Sequence, residues 1–397
     1  MKHSVKIGIS HPRLGRGGSE ATTMWALQTL KDDFNVSLIT AGEIDIQALN
    51  RFYGTSIRSD EISIHKTPLP LFLNVLNGGD ALRGVFYQRF CRKIAFEYDL
   101  IISAYNICDF GVPAIHFIAD FSWDDEIRKS FHPPPSGTRG LFHQNKLLRK
   151  IYLELSRIVS NPSGRNVFAG EDLILANSKW SAKIIKQRYG ADVNVIYPPV
   201  ASTFPEISPK NKESGFVCLG RISPEKRVEQ IIEILKKVRR RGHDIRLHII
   251  GGMNETPYGR SIEKLYKIER DWIILEGKRF GLDKTKILSQ HSFGIHACQG
   301  EAFGISVAEM VKAGCITFVP DEGGQAEIVN HSSLIYKNVG DAVDKIDQVL
   351  LNSKLQTKLR SYLYKQGTRF STEAFINGLR TAVEEFLGKK LKQKGIA

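Results

Sequence analysis

At 397 residues the chain is too long for one ordinary hydrophobic core and suits two domains of about 200 residues. Its apolar fraction of 42% and charged fraction of 25% are those of a soluble globular protein, and no apolar run approaches the ~20 residues of a membrane span. A net charge of +14 predicts anionic company: phosphorylated ligands, acidic lipids or nucleic acid.

The N-terminal MKHSVKIGIS opens with a strand, Val5 to Ser10, and lacks the apolar core of a signal peptide, which predicts a cytosolic protein or one peripheral to a membrane. His11 to Glu20 is a glycine-rich loop that opens a helix from about Glu20 to Leu30, and Val36 to Thr40 is a second strand. Such alternation predicts an α/β domain with a parallel sheet, flanked by helices, whose ligand loop lies at a strand's carboxyl end. The loop is not a dinucleotide fingerprint, because Glu20 stands where a third glycine is needed, and no Gly-x4-Gly-Lys-Ser/Thr occurs. Gly17 and Gly18 are then either a turn needing positive φ or part of a binding loop.

Leu69, Leu71, Phe72, Leu73, Val75 and Leu76 fall close together and read as a buried segment or as an exposed apolar lip. Tyr98 to Ser103 and Pro113 to Ile118 are further strands. His116, in the second, is either a satisfied core residue or a ligand-facing one, with Asp120 just beyond. A basic region from Arg128 to Arg157 surrounds Pro133-Pro134-Pro135 and Gly137, which mark a loop. Leu173 to Asn177, with Ser178 as a cap, and Val193 to Tyr197 end a first domain of residues 1–199, and Pro198-Pro199 is its boundary.

A polar linker near Ser208 to Ser214 leads to the strand Phe216 to Leu219, then to Gly220-Arg221-Ile222-Ser223-Pro224-Glu225-Lys226-Arg227 and a helix to about Arg240. An arginine fork and a lysine point charge suit a bridging diphosphate; the plainer reading is two surface cations. Arg246 to Gly251, Ile273 to Leu275, Phe293 to Cys298 and Cys315 to Pro320 complete a second sheet, spanning residues 200–378 with its helices. The end of a last helix, about Thr372 to Leu387, and a basic tail with Lys389, Lys390, Lys392 and Lys394 make up 379–397, which is expected to cross back to the first domain as in two-domain folds of this class. Cys91, Cys108, Cys218, Cys298 and Cys315 have no metal-binding spacing and read as reduced small residues.

The most informative stretch is SFGIHACQGEAFGISVAEMVKAGCITFVPDEGGQAEIV, from Ser292 to Val329. It reads strand, loop, helix, strand, with Ile305 to Ala313 helical and Gly314 as its stop. Amides of Phe303, Gly304 and Ile305 at a helix start attract phosphate. Glu301 precedes them and Glu309 lies further along, about 12 Å at 1.5 Å per residue if the whole segment were helix and less across the turn. The two carboxylates could accept hydroxyl hydrogen bonds from opposite ends of a nucleotide sugar, or be a solvated loop glutamate and a helix-face glutamate.

Gly300-Glu301-Ala302-Phe303-Gly304-Ile305 through Glu309, with Ala313-Gly314, Gly323-Gly324 and Glu327-Ile328-Val329, resembles the Glu-x7-Glu signature of family 4 glycosyltransferases. The resemblance covers nearly the whole chain and is densest from Gly215 to Val329. It implies the GT-B fold, two Rossmann-like domains facing a central cleft, with a nucleotide-sugar donor in the second and a saccharide or lipid-linked acceptor in the first. It implies that Glu301 contacts donor sugar hydroxyls and Glu309 the ribose, that Arg221 and Lys226 clamp the diphosphate, and that Lys278 and Arg279 line the base pocket. Gly17, Gly18 and Glu20 become the acceptor-side loop, and His116 a neighbour of the donor sugar. Family members retain anomeric configuration and need neither metal nor cofactor; the chain has no Asp-x-Asp, the usual metal motif of the other major glycosyltransferase fold.

Two rival functions remain: a sugar-nucleotide epimerase of the same fold, and a basic nucleic-acid-binding protein. Nucleic acid is not expected as a partner, because no recognisable module interleaves aromatic and basic residues. The basic region and the apolar stretch together predict docking on an anionic membrane surface.

Overall fold

Apolar strands alternating with helices build two parallel sheets in a computed structural model of the chain, which describes residues 5–70, 80–131, 154, 158–160 and 162–393. The apolar stretch from 71 onward, and most of the basic region beyond Phe131, lie outside the described residues. Two compact units emerge: Met1–Ser130, Pro134–Pro199 and Phe375–Ala397 form the first, and Phe131–Pro133 with Val200–Ala374 the second.

The first unit carries β1 (Lys6–Ser10), β2 (Asn35–Thr40), β3 (Ser63–Lys66), β4 (Leu100–Ser103), β5 (Ile115–Ile118), β6 (Leu173–Ala176) and β7 (Val193–Val195), in the order β3-β2-β1-β4-β5-β6-β7. Helices cover both faces of a parallel sheet, so Ile7, Ile9, Leu38, Leu100 and Ile102 are buried in one cluster and Ile39 and Ile101 in another, and the central strands read as continuous apolar runs. The last helix, Thr372–Gln393, adds Phe375, Leu379, Ala382, Val383 and Phe386 to this same core at helical spacing.

The second unit carries β8 (Glu213–Leu219), β9 (Leu247–Ile250), β10 (Ile273–Gly277), β11 (His291–Ile295), β12 (Ile316–Pro320) and β13 (Ile335–Tyr336), ordered β10-β9-β8-β11-β12-β13. Phe216 and Phe293, on neighbouring strands, stack with ring centroids 5.1 Å apart, and Phe318 lies 6.1 Å from Phe216. The strand order reverses between β8 and β11, and in open α/β sheets such a switch point opens the ligand crevice at the strands' carboxyl ends.

Several elements differ from the sequence reading, the unforeseen two-residue edge strand β13 among them. β8 begins at Glu213, inside the expected linker, because residues that look polar enough for a loop pair there with β11 at His291. β11 stops at Ile295 and leaves His296 to Cys298 in the loop. The edge strand β3 went unforeseen because its residues are mostly exposed and carry no apolar run.

Candidate active site

At the switch point of the second unit two loops leave adjacent strands. The loop after β8 contains a short 3-10 turn, Pro224–Lys226, which Pro224 starts and Arg227 closes at φ 49° before the helix Val228–Arg240. The loop after β11 carries Glu301 and ends at Gly304, whose φ of 100° suits glycine, before the helix Ile305–Lys312. The Lys226 ammonium contacts Glu301 Oε2, and His296 Nε2 lies 3.9 Å from the same oxygen.

The main chain of Glu301 is fixed as well. It forms an isolated parallel bridge with Gly323, and Gly324 N donates to Glu301 O at 2.8 Å. A Cβ on Gly323, at φ 114°, would lie 2.8 Å from Glu301 O, which is why a glycine stands there. Buried Gln325 braces the same loop by donating from Nε2 to Cys298 O at 2.5 Å and to Glu322 O at 3.1 Å.

Burial works against ionising Glu301, but the Lys226 charge, and after it His296, outweigh burial and hold the carboxyl at about 2. Lys226 is raised in turn: burial disfavours its charge, and the Glu301 carboxylate more than restores it. Burial, then the Lys226 charge, push His296 down to about 4, so it is neutral at pH 7. Burial, then Glu301, raise the Cys298 thiol to about 12, which makes it inert as a nucleophile. The site is therefore an ionised carboxylate and ammonium beside a neutral imidazole.

Glu309 sits in the second turn of the helix with 7% of its surface exposed. Its Oε1 accepts from Lys284 Nζ at 2.5 Å and from Ser202 Oγ at 2.7 Å, so it is not a solvated helix-face residue. Phe303 is buried against Phe370, with centroids 5.5 Å apart, which leaves only its main chain to offer a ligand. Arg221 is largely exposed, its Nη2 3.4 Å from Glu225 Oε1. The Lys278 stem crosses Gly252, where a Cβ would come within 2.3 Å of Lys278 Cε, and Arg279 Nη2 lies 3.6 Å from Glu276 Oε2. The second unit thus joins Lys226 to Glu301 and holds Glu309 nearby in sequence on a cation of its own. Sequence reasoning missed Lys284, Ser202 and His296; His296 directly follows β11 and was legible from the carboxyl-end rule.

In the first unit, Gly17 and Gly18 start the helix Gly18–Leu30 just after β1. Gly17 N donates to Tyr53 Oη at 2.9 Å, and Glu20 folds back so that its carboxylate accepts from Gly15 N at 3.3 Å and Ser19 Oγ at 3.0 Å. His116 is the second residue of β5, in the amino half of the strand and 1% exposed. Its Nδ1 accepts from Cys108 N at 3.4 Å, its Nε2 faces Asp172 Oδ1 at 3.2 Å, and it stacks on Phe110. These are the contacts of a satisfied core histidine, away from the carboxyl ends where ligands bind. Histidine does occur at such an end, directly after β1: His11 Nδ1 accepts from Arg13 N at 3.3 Å, Nε2 reaches Ser19 Oγ at 3.1 Å, and burial pushes the ring down to about 3.

Residues 201–366 match the family described as Glycosyl transferases group 1. The GDP-Man:Man(3)GlcNAc(2)-PP-Dol alpha-1,2-mannosyltransferase of Mus musculus is 24% identical over 281 residues, 64% of this chain and 56% of its own length. That of Neurospora crassa is 27% identical over 208 residues, 44% of this chain and 37% of its own length. The chain thus spans about half, or less, of the length of these curated relatives. Among solved structures, sucrose-phosphate synthase from Thermosynechococcus elongatus superposes with a TM-score of 0.71 at 12% identity, covering 97% of this chain and 100% of that one. Anabaena HepE in complex with UDP gives 0.68 at 14% identity over 96% and 100%. Two parallel Rossmann-like sheets and these likenesses establish the GT-B fold, and the match to the Glycosyl transferases group 1 family falls within the second unit.

Proposed function

We propose that the chain is a retaining, metal-independent hexosyltransferase of family 4 that moves a sugar from a nucleoside-diphosphate sugar to a lipid-linked saccharide in the assembly of a cell-envelope glycan. The observation that carries this reading is the Lys226–Glu301 pair at the switch point of the second sheet. The names of the mannosyltransferase relatives favour GDP-mannose as donor and a polyprenyl-type diphosphate saccharide as acceptor.

Transfer forms a bond from an acceptor hydroxyl oxygen to sugar C1 and breaks the bond from C1 to the phosphate oxygen. Negative charge grows on the departing diphosphate and positive charge on the ring. Lys226, exposed Arg221 and the amides of Phe303, Gly304 and Ile305 stabilise the first by preorganised electrostatics. Glu301, ionised at all physiological pH, holds the sugar hydroxyls and orients the ring. Glu309 receives the ribose, and Lys278 and Arg279 border the base. The acceptor proton passes to the leaving phosphate oxygen, so no side chain need be a covalent nucleophile. Gly17, Gly18 and Glu20 serve the acceptor; His116, tied to Asp172, keeps a packing role.

Thermal unfolding with GDP-mannose, UDP-glucose and ADP-glucose identifies the donor, since a ligand at 100 times its Kd adds about 2.7 kcal/mol. The nucleotide must then appear only when a lipid-linked saccharide is added. Release of nucleotide or an epimer without acceptor favours an epimerase, and no stabilisation by any of the three donors overturns the proposal.

The net charge of +14 supports a second element, peripheral docking on an anionic bilayer at the cytoplasmic face. Among the described residues no helix is long and apolar enough to cross a membrane. Acidic liposomes should pull the protein down at ~50 mM salt and release it as salt rises; absence of sedimentation at low salt removes the membrane from the scheme.

A further inference from the structure

The amino ends of the same two strands hold a second cluster. Glu213 opens β8, His291 opens β11, and His248 is the second residue of β9, on the other side of β8. Their ligand atoms all lie within 4.8 Å of one another. His248 Nε2 is 3.6 Å from Glu213 Oε1, and His291 Nε2 is 3.8 Å from Glu213 Oε2. Both distances are long for hydrogen bonds. They approach the separation of about 3.4 Å between two ligands that each sit about 2.1 Å from a tetrahedral ion.

Each ring is held in the tautomer that metal binding needs. His291 Nδ1 is 2.7 Å from Ile287 O, a pure acceptor, so Nδ1 carries the proton and Nε2 the lone pair. His248 Nδ1 is 2.8 Å from Glu276 Oε1, which fixes its proton in the same way. A carbonyl or carboxylate behind each imidazole is the usual outer support of a metal-bound histidine. His291 is 1% exposed, yet its Nε2 has no hydrogen-bond partner among the described residues, an unsatisfied buried nitrogen that calls for a ligand.

The surroundings permit a cation. Lys212, the nearest ammonium in sequence, is turned to Ala313 O at 2.7 Å and His291 O at 3.4 Å, and Arg279 approaches the outer carboxylate Glu276 rather than the rings. Glu213 is exposed, so an ion can enter from solvent and keep a water as its fourth ligand. We infer that Glu213, His248 and His291 form a binding site for one divalent transition-metal ion, best suited to Zn²⁺, that pins three neighbouring strands together. Two imidazoles and a carboxylate match the preference of that borderline ion. The role is structural: the seven-residue β8 places this edge about 20 Å, at roughly 3.3 Å per residue, from the loop that carries Lys226.

The test uses the full chain, stripped with a chelator and titrated calorimetrically with Zn²⁺ and spectroscopically with Co²⁺. One equivalent of Zn²⁺ should bind, the Co²⁺ form should show the intense visible absorption of a four-coordinate ion, and the melting temperature should rise with added Zn²⁺. Glu213→Gln with His248→Gln should weaken binding at least about 100-fold, and Glu276→Gln, which leaves all three ligands in place, about 10- to 100-fold. The metal-free melting temperature of each variant checks that it folds. Less than one equivalent bound by the stripped wild type, or equal affinity in wild type and Glu276→Gln, overturns the site.

Discussion

Lys284 Nζ lies 2.5 Å from Glu309 Oε1, so the helix carboxylate proposed for the ribose is already paired with a cation. Ser202 Oγ, 2.7 Å from the same oxygen, completes its setting. Glu309→Ala should weaken nucleoside-diphosphate binding by about 1.5 to 3 kcal/mol, the worth of a hydrogen bond to a charged group, with a smaller effect on kcat. Lys284→Met should weaken it too, and the double variant should fall short of the sum because the two residues touch. Calorimetric titration decides; equal affinity of wild type and Glu309→Ala contradicts the ribose role.

Glu301→Gln keeps the shape but removes the charge that faces Lys226 and that the proposed mechanism turns to the sugar. Turnover should fall more than donor affinity, because Lys226, freed from its carboxylate, can bind the diphosphate more strongly while the ring loses its orienting bonds. Steady-state kinetics with a saturating acceptor checks this. An unchanged kcat removes Glu301 from the chemistry.

Arg221 and Lys226 should both be needed for diphosphate affinity, yet differ in stability. Arg221→Ala removes an exposed side chain and should leave the melting temperature within error. Lys226→Ala strands the mostly buried Glu301 carboxylate without its partner and should destabilise the protein by roughly 3 to 5 kcal/mol, the usual loss on breaking a buried pair. Denaturant titration separates the two, and an equal loss in both variants contradicts the assignment.

Acid should weaken the fold in two overlapping steps. His296 is held at about 4 against an ordinary 6.5, so between those values the unfolded chain binds a proton that the folded one refuses, and stability falls as pH drops. Glu301, at about 2 against 4.5, acts with the same sign from pH 4.5 downward. His11, at about 3, contributes likewise in the first unit. Denaturation midpoints at pH 7, 5.5 and 4 should decline, and His296→Gln should flatten the decline. A flat wild-type profile speaks against the buried neutral imidazoles.

A chelator should divide the two chemistries of the second unit. Sugar transfer below the melting transition should continue in EDTA, because the proposed mechanism places the diphosphate charge on Lys226, Arg221 and helix amides. The melting temperature should drop if Zn²⁺ occupied the Glu213, His248 and His291 cluster. Loss of turnover, restored by Mg²⁺ or Mn²⁺, contradicts metal-independent transfer.

Strands with both faces buried are legible as apolar runs, and the glycine at 304 and the pair at 323–324 mark where the backbone turns tightly around Glu301. Which side chains meet across the sheet is not legible in the same way. Lys226 and Glu301 are 75 positions apart and Lys284 and Glu309 are 25 apart, and only the strand order brings each pair together. Glu213 looks like linker because polarity alone does not distinguish a loop from the first residue of a strand. His116 lies inside the strand expected from Pro113 to Ile118; what the sequence does not show is that its ring meets Asp172, 56 positions away.

Phe375 to Phe386 belong to the first unit's core although they leave the ribosome after the whole of the second unit. Val200–Ala374, roughly 175 residues, must be synthesised in between, which takes about 10 to 35 s at 5–20 residues per second. Throughout that interval the nascent first unit presents an unfilled apolar groove to solvent, while the second unit, contiguous but for three residues, can fold without waiting. A chain released before residue 375 would therefore retain a foldable second unit and expose a sticky first unit, a ready substrate for chaperones.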